Sequence, residues 1–419
     1  MERQYDQYVG IDWGSQRHVI CVLDAQGQVL HEARVDNTGR GLAGLAEQLT
    51  ALSSGQPQEL AVAIEQPAGA VVETLLARGM AVFSLNPKQL DRFRDRHRPA
   101  GSKDDRLDAR VLADSLRTDR PAFRPVAVLP QDTQRLRELV RSEIELSDDL
   151  RRHANQLRAV LQEYYPQLLE LAGAADEPWI WDLVQRAPLP AQAARLQEGT
   201  LAALLKRHRI RRVSAAQLSA LLRTPAFYRA PGAAEASSEH ALLLVERLEL
   251  IHRQLVTTRQ RVGRLVDAAH DAAGAPQEGE HRDAQILRSL PGVGRFITAT
   301  MLAEAPEALR DRDYHRLRAE AGQAPVTKAS GKSRRVQMRR AHNERLTNAC
   351  YHMARVAIMH DPAAREHYQR LRQRGGRHAA ALRGVADRLL RILIAMLRDG
   401  TLYDPARTCS RAAVPTQAA

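Results

Sequence analysis

The stretch Tyr8-Val9-Gly10-Ile11-Asp12-Trp13-Gly14 decides how the rest of the chain is read. Val9 and Ile11 favour a strand, and Gly14 with Ser15 supplies a turn after it. The segment therefore predicts a buried first strand that ends in one acidic residue. A carboxylate at the tip of a central strand is costly unless a cation or a hydrogen-bond donor meets it. The pattern repeats at Leu60-Ala61-Val62-Ala63-Ile64, an apolar run closed by Glu65 and followed by Gln66-Pro67. Acids at two strand ends point to a metal.

Around these two runs the first block reads strand, strand, strand, helix, strand, helix, strand, helix. His18 to Asp24 and Val29 to Val35 form a hairpin closed by Ala25-Gln26-Gly27-Gln28. Gly41 to Leu52 carries Leu42, Leu45, Leu49 and Leu52 at helical spacing. A helix over Val71 to Arg78 and a short strand at Ala81 to Ser84 follow the Glu65 strand. Three antiparallel strands followed by alternating helices and strands describe a mixed sheet.

Next comes Ser102-Lys103-Asp104-Asp105-Arg106-Leu107-Asp108-Ala109-Arg110-Val111-Leu112-Ala113. Leu107, Val111 and Leu116 give it a helical apolar face, and Asp105 and Asp108 project from one side of that helix. Taken alone, a run of mixed charge reads more simply as a solvated helix face. Joined to Asp12 and Glu65, it completes four oxygen donors of the kind that hold magnesium and leave room for substrate phosphates. Actin-like ATPases and sugar kinases open with a similar strand and turn, but they require a second glycine-rich phosphate loop. None is found here, and Arg374-Gly375-Gly376-Arg377 has the wrong charge around it.

Length and charge bound the remaining possibilities. The 419 residues suffice for two or three domains. A formal charge of +13 implies a polyanionic partner, most commonly nucleic acid. Lys88, Lys103, Lys206, Lys328 and Lys332 are the only lysines, so arginine carries nearly all the positive charge. Arginine suits bidentate phosphate contact, and a GC-rich genome produces the same bias. Cys21, Cys350 and Cys409 are far apart and form no metal-binding pair, which fits a reducing cytosol. No apolar run approaches the ~20 residues that span a bilayer, and no signal peptide precedes Tyr8. These features predict a cytoplasmic protein with no membrane partner.

From Leu136 the texture changes to long helices. Leu136, Leu139, Leu146, Leu150, Leu157, Val160 and Tyr164 fit one heptad register, interrupted by Glu143 and His153 at core positions. A second register runs through Leu244, Leu248, Ile251, Leu255, Thr258, Val262 and Leu265. Such stripes pair either between chains, the favoured expectation, or as an antiparallel hairpin within one. Between them, Trp179 to Ala236 predicts short helices, with Lys206-Arg207-His208-Arg209-Ile210-Arg211-Arg212 as the densest basic run. That run suits a phosphate backbone or a solvated helix end. Ala268 to Arg282 reads as a linker, and Leu290-Pro291-Gly292-Val293-Gly294 as a turn into an apolar helix from Phe296 to Leu302. The turn's glycines would let backbone N–H groups approach a phosphate.

Further on, Ala321-Gly322 leads to Val326-Thr327-Lys328-Ala329-Ser330-Gly331-Lys332-Ser333-Arg334-Arg335, with Arg339 and Arg340 beyond. Lys328, Lys332, Arg334, Arg335, Arg339 and Arg340 would bind nucleic-acid phosphate, and a serine held in line could attack it. Read by itself, the segment is more often a flexible contact loop than a catalytic one. A P-loop is excluded, since its first glycine would fall at position 326, which is Val. One more apolar helix contains Val385, Leu389, Ile392 and Leu393, and residues 406–419 read as a disordered tail.

The order Gly-Ile-Asp, then Ile-Glu, then Lys-x-Asp-x-x-Asp-Ala-Arg resembles the RuvC-like nuclease domain of the IS110 family of transposases. The resemblance implies a DEDD set on Asp12, Glu65, Asp105 and Asp108, leaving Asp104 out. The run from Leu290-Pro-Gly through Ala321-Gly to Ser330-Gly-x-Ser, followed by a basic helix from Arg339 to Ala354, is similar to the C-terminal Tnp domain of that family. It implies Ser330 as the nucleophile, with Ser333 as the fallback. The implied fold is α/β plus all-α: a RuvC-like (RNase H) mixed sheet at 1–130, a helical coiled-coil region with a central insertion at 131–270, and a mainly helical Tnp domain at 284–405. The implied chemistry is Mg2+-assisted cleavage and rejoining of DNA through a phosphoserine link. Expected partners are DNA, a noncoding guide (bridge) RNA and further copies of the chain, as a dimer or tetramer. The alternative is a RuvC-like nuclease that uses the acids and water alone.

Overall fold

In the computed structural model, which describes residues 4–85, 87–97, 104–171, 174–271, 283–331 and 333–406, the opening run is strand β1 (Gln7–Asp12). It pairs antiparallel with β2 (Arg17–Asp24), which pairs with β3 (Val29–Asp36). Helix α1 (Gly39–Leu52) starts at Thr38, whose side chain accepts the Gly41 N–H, and leads to β4 (Leu60–Ile64), parallel to β1. Then follow α2 (Ala70–Ala77), β5 (Ala81–Ser84), α3 (Pro87–His97), α4 (Asp105–Thr118) and the two-residue β6 (Arg124–Pro125). The sheet order is β3-β2-β1-β4-β5-β6, mixed as expected.

Alternation along β1 and β4 assigns the two faces of this sheet. Val9, Ile11, Val62 and Ile64 pack with Leu42, Leu45 and Leu49 of α1 and Val71 and Val72 of α2. On the other face Tyr8, Ala61 and Ala63 meet Val111, Leu112 and Leu116 of α4. Each large apolar side chain so buried contributes about 1.5–3 kcal/mol. Both faces of β1 are thus covered, which is why its run is apolar without alternation.

Contacts divide the chain into two compact units, Met1–Pro130 and Gln131–Ala419. The second begins with α5 (Gln131–Tyr164), followed by α6 (Gln167–Leu171), α7 (Pro178–Arg186), α8 (Pro190–Ala193), α9 (Glu198–Arg207), α10 (Ala215–Leu222) and α11 (Pro231–Asp271). The two long helices pair with each other inside the chain. Leu136 and Val140 cluster with Val262 and Val266, and Leu157 and Leu161 with Leu244 and Leu248, so the helices run antiparallel. The favoured expectation of an intermolecular seam is therefore corrected, because these stripes are already spent on each other.

The register on α5 is also corrected. Its fully buried residues are Leu136, Val140, Glu143, Ala154, Leu157, Leu161 and Tyr164, whereas Leu139, Leu146 and Val160 flank the seam, half-buried. Glu143 is a core position as read, 4% exposed, and Arg259 of α11 donates to it at 3.1 Å. Burial pushes the Glu143 carboxyl above its ordinary range, and that hydrogen bond opposes the rise. Ala154 takes the core place expected of His153. Helices α6 to α10 gather around buried Trp179 and Trp181 at the far end of the pair.

The rest comprises α12 (Asp283–Ser289), α13 (Arg295–Glu304), α14 (Pro306–Arg310), α15 (Tyr314–Glu320), the hairpin β7 (Val326–Ser330) and β8 (Ser333–Gln337), then α16 (Glu344–His360), α17 (Pro362–Gln373) and α18 (His378–Asp399). The expected linker is helical as far as Asp271, and 272–282 lie outside the described residues, as does the tail from 407. The basic helix expected from Arg339 begins only at Glu344, capped by Asn343. Gly292 packs the turn against α16. It takes φ 80°, and a Cβ there would stand 2.3 Å from the Met353 carbonyl oxygen of α16, so this glycine allows two segments to touch. No helix among the described residues is long and apolar enough to cross a membrane.

Candidate functional site

Register places the four sequence-predicted acids at one end of the sheet. Ile11 pairs with Ile64 in the parallel β1–β4 ladder, so Asp12 and Glu65 are neighbours just past that pair. By alternation both belong to the face that carries Gly10 and Ala63, the face covered by α4. Helix α4 lies against β1 at Gly10, where a Cβ would come 1.8 Å from the Ala109 carbonyl oxygen and 2.7 Å from the Ala113 nitrogen. Only glycine permits that approach. The C-terminal end of α4 reaches the β2–β3 turn, where Arg117 donates to the Ala25 carbonyl. Its N-terminal end, with Asp105 and Asp108, consequently lies toward Asp12.

The acids differ in environment. Asp104 caps α4 by accepting the Arg106 N–H at 3.1 Å. Asp12 and Glu65 are half-buried and Asp105 is exposed. Asp108 is only 2% exposed and is gripped from both sides by Arg94 of α3, Nε to Oδ1 at 2.5 Å and Nη2 to Oδ2 at 2.8 Å. That hydrogen bonding raises the Arg94 pKa above its ordinary value. Arg94 bonds Asp91 as well, at 2.9 Å.

Among the described residues no group of three or more His, Cys, Asp or Glu side chains is close enough to hold a metal. The physical reason at Asp108 is plain: its two oxygens are committed to a guanidinium. Asp12, Glu65 and Asp105 carry the oxygen donors that a hard divalent ion takes, and Asp108 could join them only if its pair with Arg94 opened.

Sequence reading missed two residues here. Arg94 lies four positions after buried Leu90, so helical spacing alone puts it on the inner face, where an arginine requires an acid. The other is His18, fully buried, whose Nδ1 accepts the Gly14 N–H at 3.4 Å and so ties down the turn that follows Asp12. Burial lowers the His18 pKa, against a hydrogen bond with Asn37. An acceptor Nδ1 requires the neutral ring, consistent with that direction.

The sequence-predicted serine lies in the second unit. Strands β7 and β8 pair Val326 with Gln337, Lys328 with Arg335 and Ser330 with Ser333. Ser330 therefore stands at the hairpin tip, exposed. Alternation sets Lys328, Ser330, Ser333 and Arg335 on one face of the ribbon. Arg334 is opposite Ala329 in the register, and Lys332 lies outside the described residues. Arg339 and Arg340 follow the end of β8, so the structure joins only part of the expected cationic set to Ser330.

The hairpin's exit is anchored by a buried acid that sequence reading also passed over. Glu304 of α13 accepts from Asn343 Nδ2 at 2.7 Å and from Arg141 Nε of α5 at 3.0 Å. The Asn343 Oδ1 in turn accepts the Leu346 N–H and starts α16. Burial acts to raise the Glu304 pKa, but the hydrogen bonds from Arg141 and Asn343 and the charges of Arg141 and Arg345 outweigh it and hold the carboxyl below its usual range.

A family model described as a DEDD transposase of the IS110 type matches residues 9–166. A second, described as a transposase of the IS116/IS110/IS902 family, matches residues 284–369. The chain is 33% identical over 407 residues to the IS117 mini-circle transposase of Streptomyces coelicolor, covering 96% of each chain. It is 27% identical over 415 residues to an uncharacterized 43.6 kDa protein of insertion element IS110 from the same species, covering 95% of each. It is 29% identical over 418 residues to an uncharacterized 42 kDa protein of insertion element IS900 from Mycobacterium paratuberculosis, covering 97% of this chain and 99% of that one.

Proposed function

The chain belongs to the IS110 family of transposases, and on that premise we propose that it cleaves and rejoins DNA through the hydroxyl of Ser330. Asp12, Glu65, Asp105 and Asp108 would hold Mg2+ at the scissile phosphate. The observation that supports Ser330 is its exposed place at the hairpin tip, on the ribbon face where Lys328 stands directly opposite Arg335. Like charges directly opposite one another on paired strands repel. A phosphate between them removes that repulsion and brings the anion beside the serine.

In the step so proposed, the Ser330 oxygen bonds to phosphorus as the bond from phosphorus to one deoxyribose oxygen breaks. The serine proton is released and the departing oxygen takes one up. One phosphodiester replaces another, so the reaction retains the energy needed to rejoin strands. Lys328 and Arg335 stabilise charge that develops on the phosphate oxygens. Mg2+, when bound, supplies further neutralisation of the attacked phosphate. Ser333, paired with Ser330, is the second candidate nucleophile. The reading includes a noncoding guide RNA that pairs with target and donor DNA, held through its backbone and shape by arginine-rich surfaces. It also includes a dimer or tetramer of the chain.

The test is incubation of the protein with Mg2+, element-end DNA and flanking noncoding RNA, followed by denaturing electrophoresis. A protein–DNA adduct is expected from the wild type and from Ser333→Ala, and none from Ser330→Ala or Asp12→Ala. Cleavage without an adduct, unaffected by Ser330→Ala, would assign the chemistry to the acids and water instead.

A further inference from the structure

We infer that the loop 224–230, at the far end of the α5–α11 pair, is a binding surface for single-stranded DNA. Phe227 and Tyr228 are the two most exposed aromatic side chains among the described residues, at 67% and 91%. They are neighbours in the chain, and the loop that carries them is tethered on both sides. Gln167 donates to the Thr224 carbonyl at 3.2 Å, and Arg229 pairs with Glu163 at 2.7 Å. The rings are thus held in solvent by an anchored backbone. Ring faces presented this way stack on unpaired bases, and they do so without regard to base identity.

The charge around the loop suits a phosphate backbone. Arg223, exposed, opens the loop. At the opposite end of α10, eight residues or about 12 Å away at the helical rise, lies the basic run of residues 206–212. Part of that run is neutralised: Arg207 and His208 pair with Asp182, and Arg212 with Glu177. Lys206, Arg209 and Arg211 are exposed and form no ion pair among the described residues. Arg209 also takes the left-handed conformation that ends α9, φ 55°, where glycine is the ordinary choice. Free cations at one end of α10 and stacking faces at the other fit one strand running along it. Duplex DNA hides its base faces, whereas strand exchange exposes them, so single-stranded DNA is the occupant that matches both features. The region lies between the two matched family ranges, 9–166 and 284–369, and the inference holds whether or not Ser330 is the nucleophile.

The experiment uses the full chain and fluorescent short oligo(dT), oligo(U) and duplex DNA in anisotropy titrations. Phe227→Ser with Tyr228→Ser should weaken oligo(dT) binding about tenfold or more and leave duplex binding unchanged. Arg209→Ala with Arg211→Ala should weaken it too and flatten its salt dependence. A 5-bromouracil-substituted oligo(dT) should photocrosslink within residues 224–230. All four positions are exposed, and unchanged circular dichroism confirms the fold. Oligo(dT) affinity equal to wild type in the aromatic variant would overturn the inference. So would a loss confined to oligo(U), or an altered oligomeric state at unchanged DNA affinity.

Discussion

Replacing Arg94 by Met should damage the N-terminal unit far more than neutralising its partner does. Asp108 is 2% exposed and receives two hydrogen bonds from the guanidinium, at 2.5 and 2.8 Å. Removing Arg94 leaves a buried carboxylate with no counter-charge from that side, a change that costs about 3–5 kcal/mol. Against a domain stability of about 5–15 kcal/mol, the loss is a large fraction. Asp108→Asn, in contrast, leaves Arg94 with Asp91 at 2.9 Å, so its cost should be about 1–2 kcal/mol. The double variant should recover much of the Arg94→Met deficit, because it no longer strands a charge. Hydrogen–deuterium exchange of peptides covering β1 and β4 reads this unit without interference from the helical one. An Arg94→Met protein whose β1 and β4 amides exchange as slowly as wild type at neutral pH would refute the reasoning. So would equal damage from the two single substitutions.

Three further outcomes are expected. Gly10→Ala places a methyl 1.8 Å from the Ala109 carbonyl, and backbone on both sides must move, so a loss of about 3 kcal/mol or more should appear as insoluble expression or lost β1 protection. The folded-state pKa of His18 is lowered, so the unfolded chain binds its proton first as pH falls. Stability from this residue is full above about pH 6.5 and declines below it, and His18→Asn should flatten that decline in thermal melts between pH 7 and 5. The Glu304 carboxyl is held low in the fold, so its contribution is complete above about pH 4.5 and disappears as pH falls through the folded value. Glu304→Gln should remove about 2–4 kcal/mol at pH 7, read as faster exchange at residues 339–347, and a variant with unchanged exchange there would exclude the anchoring role.

What sequence could reveal of this molecule follows the range of the forces involved. The apolar run before Asp12 and that before Glu65 owe their strand character to neighbouring residues, and both strands lie where those runs place them. The spacing of Asp105 and Asp108 is equally local, since a helix brings residues three apart to one side whatever lies around it. The coiled-coil seam shows the limit. Leu139, Leu146 and Val160 are as apolar as Val140, Ala154 and Leu161, so composition admits two registers one residue apart. Glu143 is a core position in both, so the choice is made by the apolar residues of the facing helix, Val262 and Val266 around Val140 and Leu244 and Leu248 around Leu161. Whether that facing helix belongs to the same chain is a matter of how the ends connect, which periodicity does not carry.

The polar sites depend on distant partners more completely still. Asp108 as a ligand and Asp108 as an ion-pair partner have identical neighbours in sequence, and only the packing of α3 against α4 brings Arg94 to its oxygens. Gly292 looks the same in a phosphate-binding turn as in one pressed on α16. Local pattern does encode some long-range features: Glu143 falls at a core position of its heptad and meets Arg259, and Arg94, four residues after buried Leu90, is an inward-facing arginine that predicts a buried acid nearby, with Asp108 on the next helix. A buried charge read from helical spacing is thus a prediction about tertiary structure, because the field around it must be balanced by something the chain has to supply.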